Sequence, residues 1–203
     1  MDEKNNFAPY FRGEELKYDS DTGNRIFEAK QNPNLYVKEF GTGKVGVEEN
    51  YKLIRQNFSD FMPQTALVES GKNAETSQFY LIIEKISKEK DNKYHTVFCR
   101  ELDEFLSQVV DFFFKNKAAF SNTDEYHGII PDINTSNLIF GTTQSNSEPK
   151  LYLIDYSPML QINALGLKGW LKLLAKPHLE KYDFPKIQEA VKKLDQIDPY
   201  ITK

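Results

Sequence analysis

The chain has 203 residues, 26 basic and 30 acidic side chains giving a net charge of -4, and a single cysteine. That length supports one domain of ordinary size with a substantial core, one Cys excludes an internal disulfide framework, and the interspersed charge presents no basic stripe for nucleic acid or an anionic membrane. No apolar run approaches the ~18 residues of a membrane span, and the acidic Met1-Asp2-Glu3-Lys4 start lacks a signal-peptide core, so the expected location is cytoplasmic.

Met1 to Leu16 reads as a polar lead-in. Three strands follow, near Lys17-Tyr18, over Arg25 to Lys30 and over Leu35 to Phe40, with a turn at Gln31-Asn32-Pro33-Asn34. Gly41 to Gly46 is a joint before a helix carrying Glu48 and Glu49, and Leu53 falls one helical turn after Glu49, on the face expected to point inward. Thr65 to Glu69 and Gln78 to Ile86 make a hairpin across Ser70-Gly71-Lys72-Asn73, completing a small antiparallel sheet with one helix. Lys88 to Lys93 is a charged connection.

From Glu101 the period becomes helical, with Leu102, Phe105, Leu106, Val109 and Phe113 recurring at three- and four-residue intervals to about Phe120. This stripe reads as core, as do most of the 15 Phe and 11 Tyr, which fall at core spacings rather than as stacking platforms for bases. Asn122-Thr123-Asp124 breaks the helix, and His127 to Pro131 enters a polar loop. After Pro158 come a helix over Leu165 to Leu174, Pro177, and a last helix over Pro185 to Leu194 announced by Asp183 and Pro185. His95, His127 and His178 show no metal-ligand spacing and read as solvated or capping groups. Cys99 reads as a packed or idle thiol, and Trp170 as core or as a plug between two lobes.

The chemistry concentrates in Asp132-Ile133-Asn134-Thr135-Ser136-Asn137 and Leu151-Tyr152-Leu153-Ile154-Asp155-Tyr156-Ser157. An acid and an amide five residues apart lead into Leu138-Ile139-Phe140, and a second acid ends another apolar run. Two adjacent strands would therefore converge Asp132, Asn137 and Asp155 on one site suited to metal and phosphate. Phosphoryl transfer asks for such a set: one carboxylate to orient the attacking hydroxyl, and an amide and a carboxylate to hold magnesium.

The first segment resembles the D-x-x-x-x-N catalytic loop of protein kinases, and Asp155-Tyr156-Ser157 occupies the place of their Asp-Phe-Gly motif. Leu35-Tyr36-Val37-Lys38 is similar to the strand whose Lys pairs with nucleotide phosphates, Glu49, with Glu48 as the competing partner, to the helix acid that braces it, and Phe79 to Ile86 to the strand leading into the hinge. The order Lys, Glu, hinge, Asp-Asn, Asp is that of the protein-kinase-like superfamily, over about Lys17 to Pro158. The resemblance implies an α+β, two-lobed fold: an N-lobe over 1–87 with a five-stranded antiparallel sheet and one helix, and a minimal, mainly helical C-lobe over 88–203.

It also implies roles. Asp132 would position and deprotonate the acceptor hydroxyl. Asn137 and Asp155 would hold Mg²⁺, and Lys38 braced by Glu49 would clamp the phosphates of ATP. Ile83 would back the adenine pocket, with Glu84 to Ile86 on the connector and Gly23-Asn24 on the phosphate loop. The acceptor would be a hydroxyl on a protein or a small molecule. The short tail is more similar to compact bacterial folds, such as lipopolysaccharide-core sugar kinases, aminoglycoside phosphotransferases or RIO-type kinases, than to eukaryotic protein kinases.

Several positions depart from the pattern. The glycine-rich loop becomes Asp19-Ser20-Asp21-Thr22-Gly23-Asn24, whose acids repel a triphosphate. Ile130-Pro131 replaces His-Arg, Asn134 stands where a Lys contacts the transferred phosphate, and Ser157 replaces Gly. A non-catalytic pseudokinase, binding nucleotide or a protein partner, is the alternative.

Overall fold

In the computed structural model, which describes residues 12–19, 23–41, 46–70, 78–119, 126–156 and 159–197, the chain folds as α+β. Strands β1 (Arg12–Asp19), β2 (Asn24–Ala29), β3 (Leu35–Glu39), β4 (Thr65–Ser70) and β5 (Gln78–Glu84) form one antiparallel sheet in the order β1-β2-β3-β5-β4. The strand predicted at Lys17-Tyr18 thus reaches back to Arg12, and the rest of the lead-in lies outside the described residues.

The two-residue period of the strands assigns the faces of this sheet. Phe27 pairs with Val37, and both join Ala29 and Tyr80 in a small apolar cluster on one side. Ile26 pairs with Lys38, and Tyr36 with Ile83, so these four side chains share the opposite face. Helix α1 (Val47–Phe58) buries Val47, Tyr51, Ile54 and Phe58 into the main core together with Phe40 and Leu81. Its Glu48 and Glu49 lie in the first turn, where the helix dipole favours acids.

Beyond the sheet, β6 (Ser87–Lys88) is followed by α2 (His95–Lys115), the spine of the main core. The helix begins at His95 rather than Glu101, because Phe98 and Cys99 extend the apolar stripe by a turn. Asp91 also caps the preceding short turn by accepting a hydrogen bond from Lys93 N. Asn116 closes its end by donating from its backbone N–H to the carbonyls of Phe112 and Phe113.

The remaining strands are β7 (Ala118–Ala119), β8 (Tyr126–Pro131), β9 (Leu138–Thr142), β10 (Lys150–Leu153) and β11 (Met159–Asn163). They make two three-stranded sheets, β10-β9-β6 and β11-β8-β7. The second sheet was not expected: Gly128 and Pro131 disguise β8 as loop, since both residues are poor strand formers. Helices α3 (Ala164–Ala175) and α4 (Pro185–Asp195) close the chain near their predicted bounds.

Asp103 on α2 is 1% exposed and accepts from Lys186 N and Ile187 N at 3.1 and 2.8 Å, capping α4 from across the core. Among the described residues no helix is long and apolar enough to cross a membrane. The predicted turn residues 71–73 and the breaker 122–124 lie outside the described residues.

Candidate active site

Between β8 and β9 the loop is folded by its own polar side chains, as Asp and Asn do in turns. Asp132 Oδ1 accepts from Asn134 N at 3.3 Å and Oδ2 from Asn134 Nδ2 at 2.9 Å. Asn134 Oδ1 in turn accepts from Ser136 N at 2.8 Å and from Ser136 Oγ. Ile133, fully buried, anchors this loop in the main core. Asn137 Nδ2 donates to the Asp132 carbonyl at 3.2 Å, which orients the amide and turns Oδ1 away from that bond. The Asn137 carbonyl accepts from Ile154 N at 2.9 Å, bringing the head of β9 beside the end of β10 and so Asn137 beside Asp155.

Asp155 is met from the other side by the sheet. Lys38 Nζ lies 2.8 Å from Asp155 Oδ1, with the two side chains 14% and 24% exposed. The same ammonium sits 5.2 Å from the centre of the Phe40 ring, a favourable cation–π distance. Residues 117 apart in sequence are thus joined across a cleft. Next to this pair Tyr156 is 1% exposed, with its ring edge-on to Tyr51 of α1 at 5.9 Å. Its hydroxyl is buried without a hydrogen-bond partner among the described residues. Burial first, and then Tyr51 and Asp155, push this phenol far above its ordinary range, so it carries no acid–base role near neutral pH.

Glu49 does not join the pair. It is exposed on the first turn of α1, and Lys38 is engaged by Asp155 instead. Helical phase gives the reason: the buried face runs Val47, Tyr51, Ile54, Phe58, and Glu49 is about 200° round the axis from Val47. Leu53, the residue used to align Glu49 with the core, is only half-buried at the edge of that face. Glu48 pairs with Lys52 at 2.7 Å along the helix surface.

The cleft has a volume of about 570 Å³ and a mixed lining. Ile26, Ile83, Ile86, Ile139 and Ile154 provide aliphatic walls, whereas Lys38, Asp132, Asn134, Asn137 and Asp155 provide the polar ones. Glu84 lines it too, but its carboxylate is committed to Ser145, accepting from N and Oγ at 2.6 Å each. Asn24 lines the cleft and ties β2 to the end of β3, its Oδ1 accepting from Gly41 N at 3.3 Å. Gly23 has φ 68, a left-handed backbone that glycine adopts without penalty, and serves the turn into β2. Residues 20–22 of the acidic loop, with the Asp19 side chain, lie outside the described residues.

Two lysines escaped the sequence reading. Lys17 reaches the cleft from β1 and Lys88 from β6. The β1–β2 register sets Lys17 opposite Ile26, and β6 lies against β9 only because residue 141 is glycine: a Cβ there would stand 2.2 Å from the Ser87 carbonyl oxygen. Lys17, Lys38 and Lys88 together match the charge of Glu84, Asp132 and Asp155.

The donor set suits a hard cation, since a carboxylate and an amide oxygen are the ligands Mg²⁺ takes beside phosphate. Aliphatic side chains lining the cleft beside a cation and acids suit an amphipathic ligand with an apolar plane and an anionic group. No protein-family model matches the chain, and no curated protein matches it at a significant level.

Proposed function

We propose that the chain is an ATP-dependent phosphotransferase of protein-kinase-like, two-lobed architecture that transfers the γ-phosphoryl group to a hydroxyl on a protein or small molecule. Residues 1–87 would form one lobe and 88–203 the other. The observation that carries this reading is the 2.8 Å contact of Lys38 with Asp155 across a cleft that also holds Asp132 and Asn137. The strand order β1-β2-β3-β5-β4 with α1 supports it, because it sets Lys38 on the cleft face of the sheet.

Asp132 acts on the acceptor, orienting the hydroxyl and taking its proton. Lys38 binds phosphate oxygens, and Asn137 and Asp155 hold Mg²⁺, which when bound supplies the charge neutralisation that phosphoryl transfer needs. Ile83 and Ile86, with the other isoleucines, hold the base by contact with its faces, while Glu84 offers it no donor, since its carboxylate is bonded to Ser145 and its N–H donates to the Gln64 carbonyl at 3.0 Å. Lys17 and Lys88 add positive charge at the cleft.

Exposed Glu49 favours one second reading. Without an acid of α1 beside Lys38 the chain would be a non-catalytic pseudokinase, acting as a nucleotide-binding or protein-interaction module. Thermal denaturation separates binding from its absence. Mg-ATP at 100 times its dissociation constant stabilises by ~2.7 kcal/mol, roughly 5–11 °C for a chain of this size. Asp155→Ala should abolish most of that shift, and a wild type that responds to no nucleotide would contradict the reading.

A further inference from the structure

Outside the cleft, three metal-ligating side chains that are scattered in sequence come together. His95 is the first residue of α2 and Cys99 follows one turn later on the same face, with His95 Nε2 and Cys99 Sγ 3.4 Å apart. His178 arrives from the short turn Lys176–His178 after α3, its ring centre 5.2 Å from that of His95. One ligand atom from each residue lies within 4.8 Å of both others. The two rings are tilted by 53° rather than stacked flat.

We propose that His95, Cys99 and His178 bind a zinc ion that ties the start of α2 to the turn between α3 and α4. Zinc takes imidazole nitrogen at ~2.0–2.1 Å and thiolate sulfur at ~2.3 Å in tetrahedral array, which sets ligand atoms about 3.3–3.8 Å apart. The His95–Cys99 separation already meets that spacing, and the other ligand-atom separations, all within 4.8 Å, lie at most about 1 to 1.5 Å beyond it. Two imidazoles and a thiolate exclude Mg²⁺ and Ca²⁺, which take oxygen, so this site and the cleft select different ions.

The surroundings fit a coordinated ion. Cys99 is fully buried, and Phe98 walls the site edge-on to His178 at 5.0 Å while meeting Phe140 at 5.5 Å. On binding, one Zn–S and two Zn–N bonds form, the thiol proton leaves to solvent, and no redox step is involved. Three protein ligands leave a fourth position for water or a further donor. Spacing along the sequence concealed the trio because only a helix that starts at His95 puts residues 95 and 99 on one face.

The test uses the full chain, reduced and stripped with a chelator, titrated with Zn²⁺ against a chromophoric competitor. The expected result is one zinc per chain with submicromolar affinity, weakened at least tenfold by Cys99→Ser and by His178→Gln. His178 is only half-buried, so His178→Gln keeps the test informative if Cys99→Ser misfolds. Co²⁺ in place of zinc should give a sulfur-to-metal charge-transfer band that Cys99→Ser lacks. Asp155→Ala should leave zinc binding intact, which distinguishes this site from the cleft. Absence of stoichiometric binding, binding unchanged in both variants, loss only in Asp155→Ala, or retention of Cu(I) without Zn²⁺ would each overturn the proposal.

Discussion

Replacing Glu84 by alanine tests how firmly the hairpin that carries Asn137 is held to the sheet. Glu84 ends β5, is 5% exposed, and receives two 2.6 Å hydrogen bonds from Ser145 in the β9–β10 turn. Hydrogen bonds to a charged acceptor contribute about 1.5–3 kcal/mol each. Ser145 is exposed, so water replaces its lost partner and the pair falls at the low end, near 3 kcal/mol in total. That corresponds to roughly 6–12 °C in Tm for a chain of this length. Glu84→Gln, which keeps one acceptor, should cost about half as much, and Ser145→Ala about 1.5 kcal/mol, since one of the two bonds is lost. Urea denaturation of the two alanine variants and their double mutant should give a coupling of at least ~0.5 kcal/mol. A cost below about 1 kcal/mol for Glu84→Ala, or full additivity, would refute the assignment of this carboxylate as the tie.

Two other substitutions probe the packing behind the site. Tyr156→Phe removes a buried hydroxyl that has no hydrogen-bond partner among the described residues and should stabilise the protein by about 1 kcal/mol; a loss of stability in the same denaturation assay would mean the hydroxyl is satisfied. Gly141→Ala drives a Cβ into the Ser87 backbone and should cost about 1–3 kcal/mol. It should also move Ile86 and Lys88 from the cleft and weaken Mg-ATP binding several-fold in a thermal titration, so unchanged affinity would contradict the role given to β6.

Strand and helix positions were legible wherever one face is apolar and the period is regular, as in Arg25 to Ala29, Leu35 to Glu39 and Leu102 to Phe113. The convergence of Asp132, Asn137 and Asp155 on one cleft was legible for a local reason: Asx turns order the loop, and a single backbone bond from Ile154 to Asn137 aligns the two strand ends. Glu49 was misplaced because one half-buried Leu cannot fix the phase of a helix whose buried face is set by Val47, Tyr51, Ile54 and Phe58. β8 and β11 were hidden by Gly128 and Pro131 and by the absence of strict alternation in Met159 to Asn163. Lys17 and Lys88 reach the cleft through strand register, which no local pattern encodes. The His95–Cys99–His178 cluster depends on the chain's return after α3.

The central claim is that Asp132 does chemistry on an acceptor held beside a nucleotide. Purified wild type and Asp132→Asn are incubated with γ-labelled ATP and Mg²⁺, first alone and then with a cell extract, while Mg-ATP binding is followed in parallel by thermal shift. Wild type should transfer label. The variant keeps one of the loop's two acceptor oxygens, the one that takes the Asn134 backbone N–H, and contacts no phosphate in the proposed arrangement, so it should retain the thermal shift while transfer falls by a factor of ~100 or more. Transfer at the wild-type rate by Asp132→Asn, or no transfer by a wild type that nonetheless binds Mg-ATP, would contradict the account.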